Sequence, residues 1–261
     1  MPDQPNINAA KKLVTACVVL IGDEVLSGRT RDANLGFIAK HLNQTGVQVR
    51  EARVIPDIEA VIVETINEVR ARYDYVFTTG GIGPTHDDIT ADAIAKAFGV
   101  SIDYHPDALV TLEKYYRETG GEFTQARKRM ARIPEGALLI ANSLSKAPGF
   151  QIGNVFVMAG VPMVMQVMMD ALSDRLEGGA TMMSRTVSAQ IGEGTIAEKL
   201  GLLQAQFPDV GIGSYPYFRA NIFGTSVVMR GIDEALLEQV ATATEALIRG
   251  FGVEPIGGEP T

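Results

Sequence analysis

Apolar positions along the chain change period several times, and each change marks an element. Val14 to Ile21 is an unbroken apolar run, the pattern of a strand covered on both faces. Leu35, Ile38, Ala39 and Leu42 then recur at helical spacing, and Gly46 stands where a helix would stop. Val47 to Ile55 reads as a second strand. Ile58, Ile62, Ile66 and Val69 mark a helix for which Asp57 is a plausible N-cap. Tyr75 to Thr79 is a third strand, followed by Gly80, Gly81 and Gly83 and then a helix from about Thr90 to Phe98. Strand–helix alternation of this kind predicts an α/β fold, a doubly wound, mostly parallel sheet with helices on both faces.

Helical stretches follow at Pro106 to Thr119 and Phe123 to Ala131. Short strands are predicted at Leu138 to Ala141 and Val155 to Met158, with a helix from about Pro162 to Leu176. At Gly178 and Gly179 the pattern changes. Strands at Arg185 to Gln190, Val210 to Tyr217 and Asn221 to Arg230 combine with helices at Thr195 to Gln206 and Asp233 to Arg249, which predicts a small C-terminal α+β module of β-α-β-β-α order. The expected organisation is a flexible N-terminus over 1–12, a larger domain over 13–179, the module over 180–252 and a flexible tail over 253–261.

Composition narrows the function classes. The 261 residues hold 31 acidic and 23 basic side chains, a net charge of −8, which disfavours broad nucleic-acid binding but leaves room for a local anion site. Apolar residues make up 46%, enough for a real core. The first ten residues lack the apolar stretch of a secretory signal, and no run is long enough to span a membrane. With Cys17 as the single cysteine, no internal disulfide can form, and a cytoplasmic setting is expected. The three histidines, His41, His86 and His105, lack zinc-ligand spacing. Most of the ten methionines are expected to fill core or interface gaps, and the helix carrying Met163, Met165, Met168 and Met169 suggests a dimer or trimer surface.

The strongest local signal is Thr78-Thr79-Gly80-Gly81-Ile82-Gly83-Pro84-Thr85-His86-Asp87-Asp88-Ile89-Thr90, between a strand and a helix. Ligands of open α/β sheets sit outside the carboxyl ends of the strands. Glycines there let backbone N–H groups approach an anion, and the Thr79 and Thr85 hydroxyls add donors. The loop is neither a Walker loop nor the dinucleotide fingerprint. Asp87 and Asp88 beside a phosphate call for a divalent cation, such as Mg, Mn or Co, which they would bind. The plainer alternative is that Asp88 caps the next helix and Asp87 is solvated. Asp23 and Glu24 leave the first strand at the same edge, with Asn34 nearby in sequence, and Asp57 leaves the second. A further segment, Asn142 to Phe150, offers Ser145 and Lys146 ahead of Pro148-Gly149 as a positive phosphate contact, or as an ordinary surface turn.

Gly80-Gly81-x-Gly83-Pro84-Thr85-x-Asp87-Asp88-x-Thr90 resembles the signature of the CinA (competence/damage-inducible protein A) amino-terminal domain, part of the molybdopterin-binding MoaB/MogA-like superfamily. Gly22-Asp23-Glu24-x-Leu26-x-Gly28 with Asn34, Ala147-Pro148-Gly149-Phe150, and Gly160-Val161-Pro162 with Met165 extend the likeness over about residues 14–176, and Gly213-Ser214-Tyr215-Pro216 carries it into the module. The resemblance implies a three-layer fold with its site at the glycine loop. It implies molybdopterin or a nucleotide as ligand, and metal-dependent pyrophosphatase activity on ADP-ribose-type or FAD-type dinucleotides. Asp23, Asp57, Asp87 and Asp88 occupy the motif positions of the acidic residues, and a related domain accompanies FAD-synthetase enzymes.

Two departures stand out. Val164 replaces a Glu common before the Met of Gly-Val-Pro-x-Glu-Met, and Lys146 replaces a small residue. The amidohydrolase domain that acts on nicotinamide mononucleotide in full-length CinA is not expected here. The competing readings are an enzyme, a non-catalytic binding module for a phosphate-bearing pterin or nucleotide, and an interaction protein with a vestigial site. The enzyme reading requires Asp23, Asp57, Asp87 and Asp88 to converge.

Overall fold

The computed structural model describes residues 13–219 and 222–258. The flexible N-terminus expected for 1–12 lies outside the described residues. Two compact units part between Ala180 and Thr181.

The first unit contains β1 (Val14–Ile21), α1 (Asp23–Leu26), α2 (Asn34–Gln44), β2 (Val47–Ile55), α3 (Glu59–Arg72), β3 (Tyr75–Thr79), α4 (Thr90–Phe98), β4 (Ile102–Tyr104), α5 (Pro106–Glu118), α6 (Gln125–Lys128), β5 (Arg132–Pro134), β6 (Leu138–Ile140), β7 (Gly149–Ile152), β8 (Val155–Met158) and α7 (Pro162–Asp170). Its main sheet runs β2-β1-β3-β8-β7-β6. β1 pairs in parallel with β2 and β3, and β3 with β8. β7 runs antiparallel to both β8 and β6, so the sheet is mixed with parallel pairing dominant.

The apolar run of β1 divides by the two-residue period of a strand. Cys17, Val19 and Ile21 face a core built with Ile62, Ile66 and Val69 of α3 and Ile94 of α4. Ala16, Val18 and Leu20 face the opposite core, built with Ile38 and Leu42 of α2 and Met165, Met168 and Met169 of α7. Each such fully buried aliphatic side chain is worth about 1.5–3 kcal/mol relative to exposure. Buried on both sides, the sheet is held rigidly and its carboxyl edge is fixed. Met165, Met168 and Met169 of α7 therefore belong to the core, and among the four methionines only Met163 is exposed. Cys17 is fully buried and burial pushes its thiol up to about 11, so it is a core residue.

The predicted helix at Phe123 to Ala131 is shorter, α6 followed by a 3-10 turn at Arg129–Ala131. The helix expected to reach Leu176 stops at Asp170, with a 3-10 turn at Ser173–Arg175. Strands β4, β5 and β7 were not expected. β4 and β5 are of three residues each and carry no apolar run like those of β6 and β8, and β7 opens on the turn-like Gly149.

The second unit contains β9 (Met183–Ala189), α8 (Glu193–Gln206), β10 (Gly211–Arg219), β11 (Ile222–Gly231), α9 (Glu234–Arg249) and β12 (Ile256–Gly257). Its antiparallel sheet runs β10-β11-β9-β12. Val187, Val227 and Met229 pack against Ile196 and Leu200 of α8 and Leu237, Val240 and Ile248 of α9. The tail expected to be flexible from 253 is instead tied down in part. Ile256 pairs with Ser188, the Gly258 N–H donates to the Thr186 carbonyl at 2.9 Å, and the Ser188 hydroxyl donates to the Gly258 carbonyl at 2.7 Å. Among the described residues, no helix is long and apolar enough to cross a membrane.

Candidate functional site

Four strand ends of the first unit meet at one edge. Leaving β3, the chain turns through Gly80 at φ 104° and Gly81 at φ 66°, a region that side-chain-bearing residues rarely adopt. Space dictates glycine as strongly as torsion does. A Cβ on Gly80 would lie 2.1 Å from the Ile21 carbonyl oxygen, and one on Gly81 would lie 2.1 Å from Thr90 Oγ1. Gly80 N–H donates to the Met158 carbonyl at 3.1 Å, and Gly81 carbonyl accepts from Thr90 N–H at 3.0 Å. Both ends of the loop are thereby anchored. Between them, the N–H groups of Gly81, Ile82 and Gly83 donate to no protein acceptor among the described residues.

Asn34, at the start of α2, is buried and donates through Nδ2 to the Gly160 carbonyl at 2.8 Å and to Thr79 Oγ1 at 3.4 Å. It ties α2 to the ends of β3 and β8. Its Oδ1 is buried without a partner, as are Thr90 Oγ1 and Arg129 Nε. Native interiors rarely leave such atoms unmatched, so three around one loop mark a place that a ligand or ordered water completes.

Asp57 does not cap α3; that helix has Ile58 at its N-cap and no side-chain cap bond. Its Oδ2 instead accepts from the Asp23 N–H at 3.0 Å, which joins the β1 and β2 ends, and its Oδ1 sits 3.5 Å from the point a Gly81 Cβ would take. Desolvation pushes the Asp57 carboxyl above its ordinary range. The Asp23 N–H opposes that shift, and the charges of Asp23, Glu24 and Asp87 reinforce it. Asp23, Asp57 and Asp87 therefore share one electrostatic neighbourhood with Glu24. The Asp87 carboxyl is exposed and held below its usual range, chiefly by Thr85.

Asp88 plays a different part from the one its sequence position suggests. It does not cap α4, whose N-cap is Ile89. Its Oδ2 accepts from Thr85 N–H at 2.8 Å and from the Thr85 hydroxyl, and folds over Gly83. Asp88 closes the loop through Oδ2, while its Oδ1 has no hydrogen-bond partner among the described residues. Among the described residues, no three His, Cys, Asp or Glu side chains are gathered closely enough to hold a metal ion.

The Asn142–Gly149 segment is also divided. Asn142 Nδ2 donates to Ser145 Oγ at 2.7 Å and to the Ala147 carbonyl at 2.9 Å, so Ser145 serves the turn. Gly149 is a strand residue of β7, where a Cβ would press on the Val157 carbonyl at 2.4 Å. Pro148 lines the cleft under the glycine loop, whereas Lys146 lines a neighbouring one. The positive residue at the glycine loop is Arg129, which sequence reasoning missed. It lines the cleft with Gly81, Gly83 and Asp88, and its one side-chain hydrogen bond among the described residues is a long one, 3.4 Å, to the Asp88 carbonyl. Arg132 in the same cleft is neutralised by a two-pronged pair with Asp92 at 2.7 Å. Arg129 lies 41 residues after Asp88 in a stretch that reads as a plain helix, so only the fold reveals it.

Because folding raises the Asp57 pKa, the folded state is penalised by this charge above that pKa, and the penalty disappears as pH falls and the group protonates in both states. Asp57→Asn is thus expected to raise the melting temperature at pH 7 and to leave it unchanged at pH 3. Thermal scans at the two pH values check this.

These features, a doubly wound sheet with a glycine loop and an acidic edge, define the class to which the chain belongs: residues 17–178 match the probable molybdopterin binding domain, and the protein is a CinA-like member of the MoaB/MogA superfamily. Residues 181–254 match the middle domain of FAD synthase. A CinA-like protein of Citrifermentans bemidjiense is 37% identical over 201 residues, covering 74% of this chain and 48% of that protein. A probable FAD synthase of Caenorhabditis elegans is 32% identical over 260 residues, covering 90% of this chain and 50% of that protein. The chain therefore spans about half the length of these curated relatives. The crystal structure of CinA from Thermoplasma acidophilum, described as of unknown function, superposes with a TM-score of 0.57 at 32% identity over 62% of this chain and 96% of that one.

Proposed function

We propose that the protein binds a pyrophosphate-bearing nucleotide of ADP-ribose or FAD type at the glycine loop and hydrolyses it with the help of a divalent cation. The observation that carries this reading is the set of unpaired N–H groups at Gly81, Ile82 and Gly83 beside Asp57, a half-buried carboxylate on which the charges of Asp23, Glu24 and Asp87 act. Unpaired amides attract a phosphate, and the carboxylates need a cation before an anion can approach.

The residues fit such a cation. Every donor at the edge is a hard oxygen, and the charges of Asp23, Glu24 and Asp87 add to the desolvation that raises the Asp57 carboxyl. Since no three ligands are gathered in advance, a cation of the Mg²⁺ kind would rest on one or two carboxylates, Asp23 and Asp87, and on the ligand's own phosphates. When bound, it would supply charge neutralisation and polarise a phosphoryl oxygen. The remaining work falls to the chain. The loop amides hold the pyrophosphate, and Arg129 meets a non-bridging oxygen. Asp57, whose carboxyl is primed by burial to accept a proton, orients the attacking water. Water oxygen bonds to one phosphorus, the bridging P–O bond breaks, and two phosphomonoesters leave.

The matched FAD synthase domain and the name of the nematode relative support a nucleotide ligand. Incubation with ADP-ribose, FAD and NADH in Mg²⁺, Mn²⁺ or Co²⁺ tests the reading; cation-dependent product from at least one is expected, and none from any of the nine pairs would sink it. Arg129→Ala is expected to raise KM by about tenfold to a hundredfold with kcat little changed, in line with about 1.5–3 kcal/mol for a hydrogen bond to a charged group. Steady-state kinetics with Arg129→Lys as partial rescue check this.

A second reading, binding without turnover, is favoured by Val164. This residue packs half-buried against the core at a position where the family commonly carries Glu. Tight calorimetric binding without product would select it. Self-association as a dimer or trimer and a cytoplasmic setting are further proposals, the first checked by light scattering.

A further inference from the structure

A cleft of the first unit beside the glycine loop plays no part in the scheme above. It has a volume of about 410 Å³ and is lined by residues that include Ala108 and Thr111 of α5, Leu139 of β6, and Asn142, Lys146 and Pro148 of the following turn. That size falls within the range of small-molecule sites, and the lining mixes apolar residues with a few polar ones, as theirs does. Pro148 belongs to both this cleft and the one under Gly81 and Gly83, so the two are neighbours.

Lys146 gives the cleft its chemistry. Its backbone φ is 63°, and it is the one non-glycine residue with positive φ among the described residues. The Asn142 bonds that fix the turn hold it there: Nδ2 to Ser145 Oγ and the Ala147 carbonyl, and Oδ1 from the N–H groups of Leu144 and Ser145. Strain of this kind concentrates where a side chain must be presented to a ligand. The Lys146 ammonium has no acidic partner among the described residues, although the chain carries a net charge of −8. An unpaired cation in a partly apolar cleft, next to a phosphate cradle, suits the second half of a two-headed ligand.

Resting on the pyrophosphatase reading, we infer that this cleft is a second subsite. It takes the ring-bearing half of a pyrophosphate joined to an organic group on each side, with Lys146 at the phosphate of that half. Inorganic pyrophosphate, which lacks that half, uses only the glycine loop.

Thr111 is exposed on α5, so Thr111→Trp fills the cleft without touching the core, and Lys146→Gly removes the charge while relieving the backbone. Affinities for ADP-ribose and for inorganic pyrophosphate, each with Mg²⁺, are compared by calorimetry in wild type and both variants, with melting temperatures as controls. Thr111→Trp is expected to weaken ADP-ribose by about tenfold or more and Lys146→Gly by about threefold or more, with pyrophosphate unchanged in Thr111→Trp. Unchanged ADP-ribose affinity in Thr111→Trp, or equal weakening of both ligands, overturns the subsite while pyrophosphate binding to wild type upholds the parent reading. Failure of wild type to bind either ligand overturns both.

Discussion

Asp57→Asn combined with Asp87→Asn is expected to reduce turnover of ADP-ribose by at least about a thousandfold, while the protein stays folded. The loss combines removal of a proton acceptor, worth about a hundredfold to ten-thousandfold in positioned general-base catalysis, with removal of one cation ligand. Folding is spared because neither carboxylate neutralises a buried positive charge: Asp57 accepts one backbone N–H, which the asparagine oxygen can also accept, and Asp87 is exposed. Melting no lower than that of wild type, with lost turnover, separates a chemical role from a structural one. Asp88→Asn serves as the contrast. Asp88 closes the loop through Thr85, so its replacement is expected to disturb the melting transition as well as turnover. Kinetics and thermal scans on the same preparations decide between these outcomes.

Gly80→Ala is expected to cost about 3–5 kcal/mol, from a left-handed backbone forced on alanine and from a methyl pressed into a carbonyl oxygen. The Ile21 oxygen that it would strike at 2.1 Å belongs to the end of β1, in the middle of the sheet, and has no freedom to retreat. For a chain of this size that is a fall of roughly 10 °C or more in melting temperature. The same displacement would move the loop amides, so ligand-induced stabilisation should vanish too. Gly28→Ala is the control. It also has positive φ, but its added methyl meets nothing within 4 Å, so the strain term appears without the collision.

The elements that could be read from sequence are those whose pattern is local and long. The run Val14–Ile21 and the spacing of Ile62, Ile66 and Val69 matched the structure because each residue declares its environment by its own hydrophobicity. β7 was hidden because Pro148-Gly149 is turn chemistry in sequence, whereas Gly149 is in fact required for close approach to β8. β12 was hidden because a Gly-rich tail gives no periodic signal and its order comes from the exposed edge of β9. At the site, the glycines were legible because a strand–turn–helix context gives them one reading. Asp57 and Asp88 were not: both can cap a helix, and only tertiary placement shows one bonded to Asp23 N–H and the other to Thr85. Arg129 and the division of labour between Ser145, Lys146, Pro148 and Gly149 likewise depend on contacts between segments far apart in the chain.

The central claim is that the loop amides and the acidic edge act on one pyrophosphate. It is tested most directly by following AMP release from ADP-ribose with Mg²⁺, using wild type and Asp87→Asn side by side, with EDTA as the blank. AMP and ribose 5-phosphate in equal amounts are expected from wild type, with loss of both in the variant and with EDTA. Wild type and Asp87→Asn releasing AMP at the same rate, or no release at all by wild type, would contradict it.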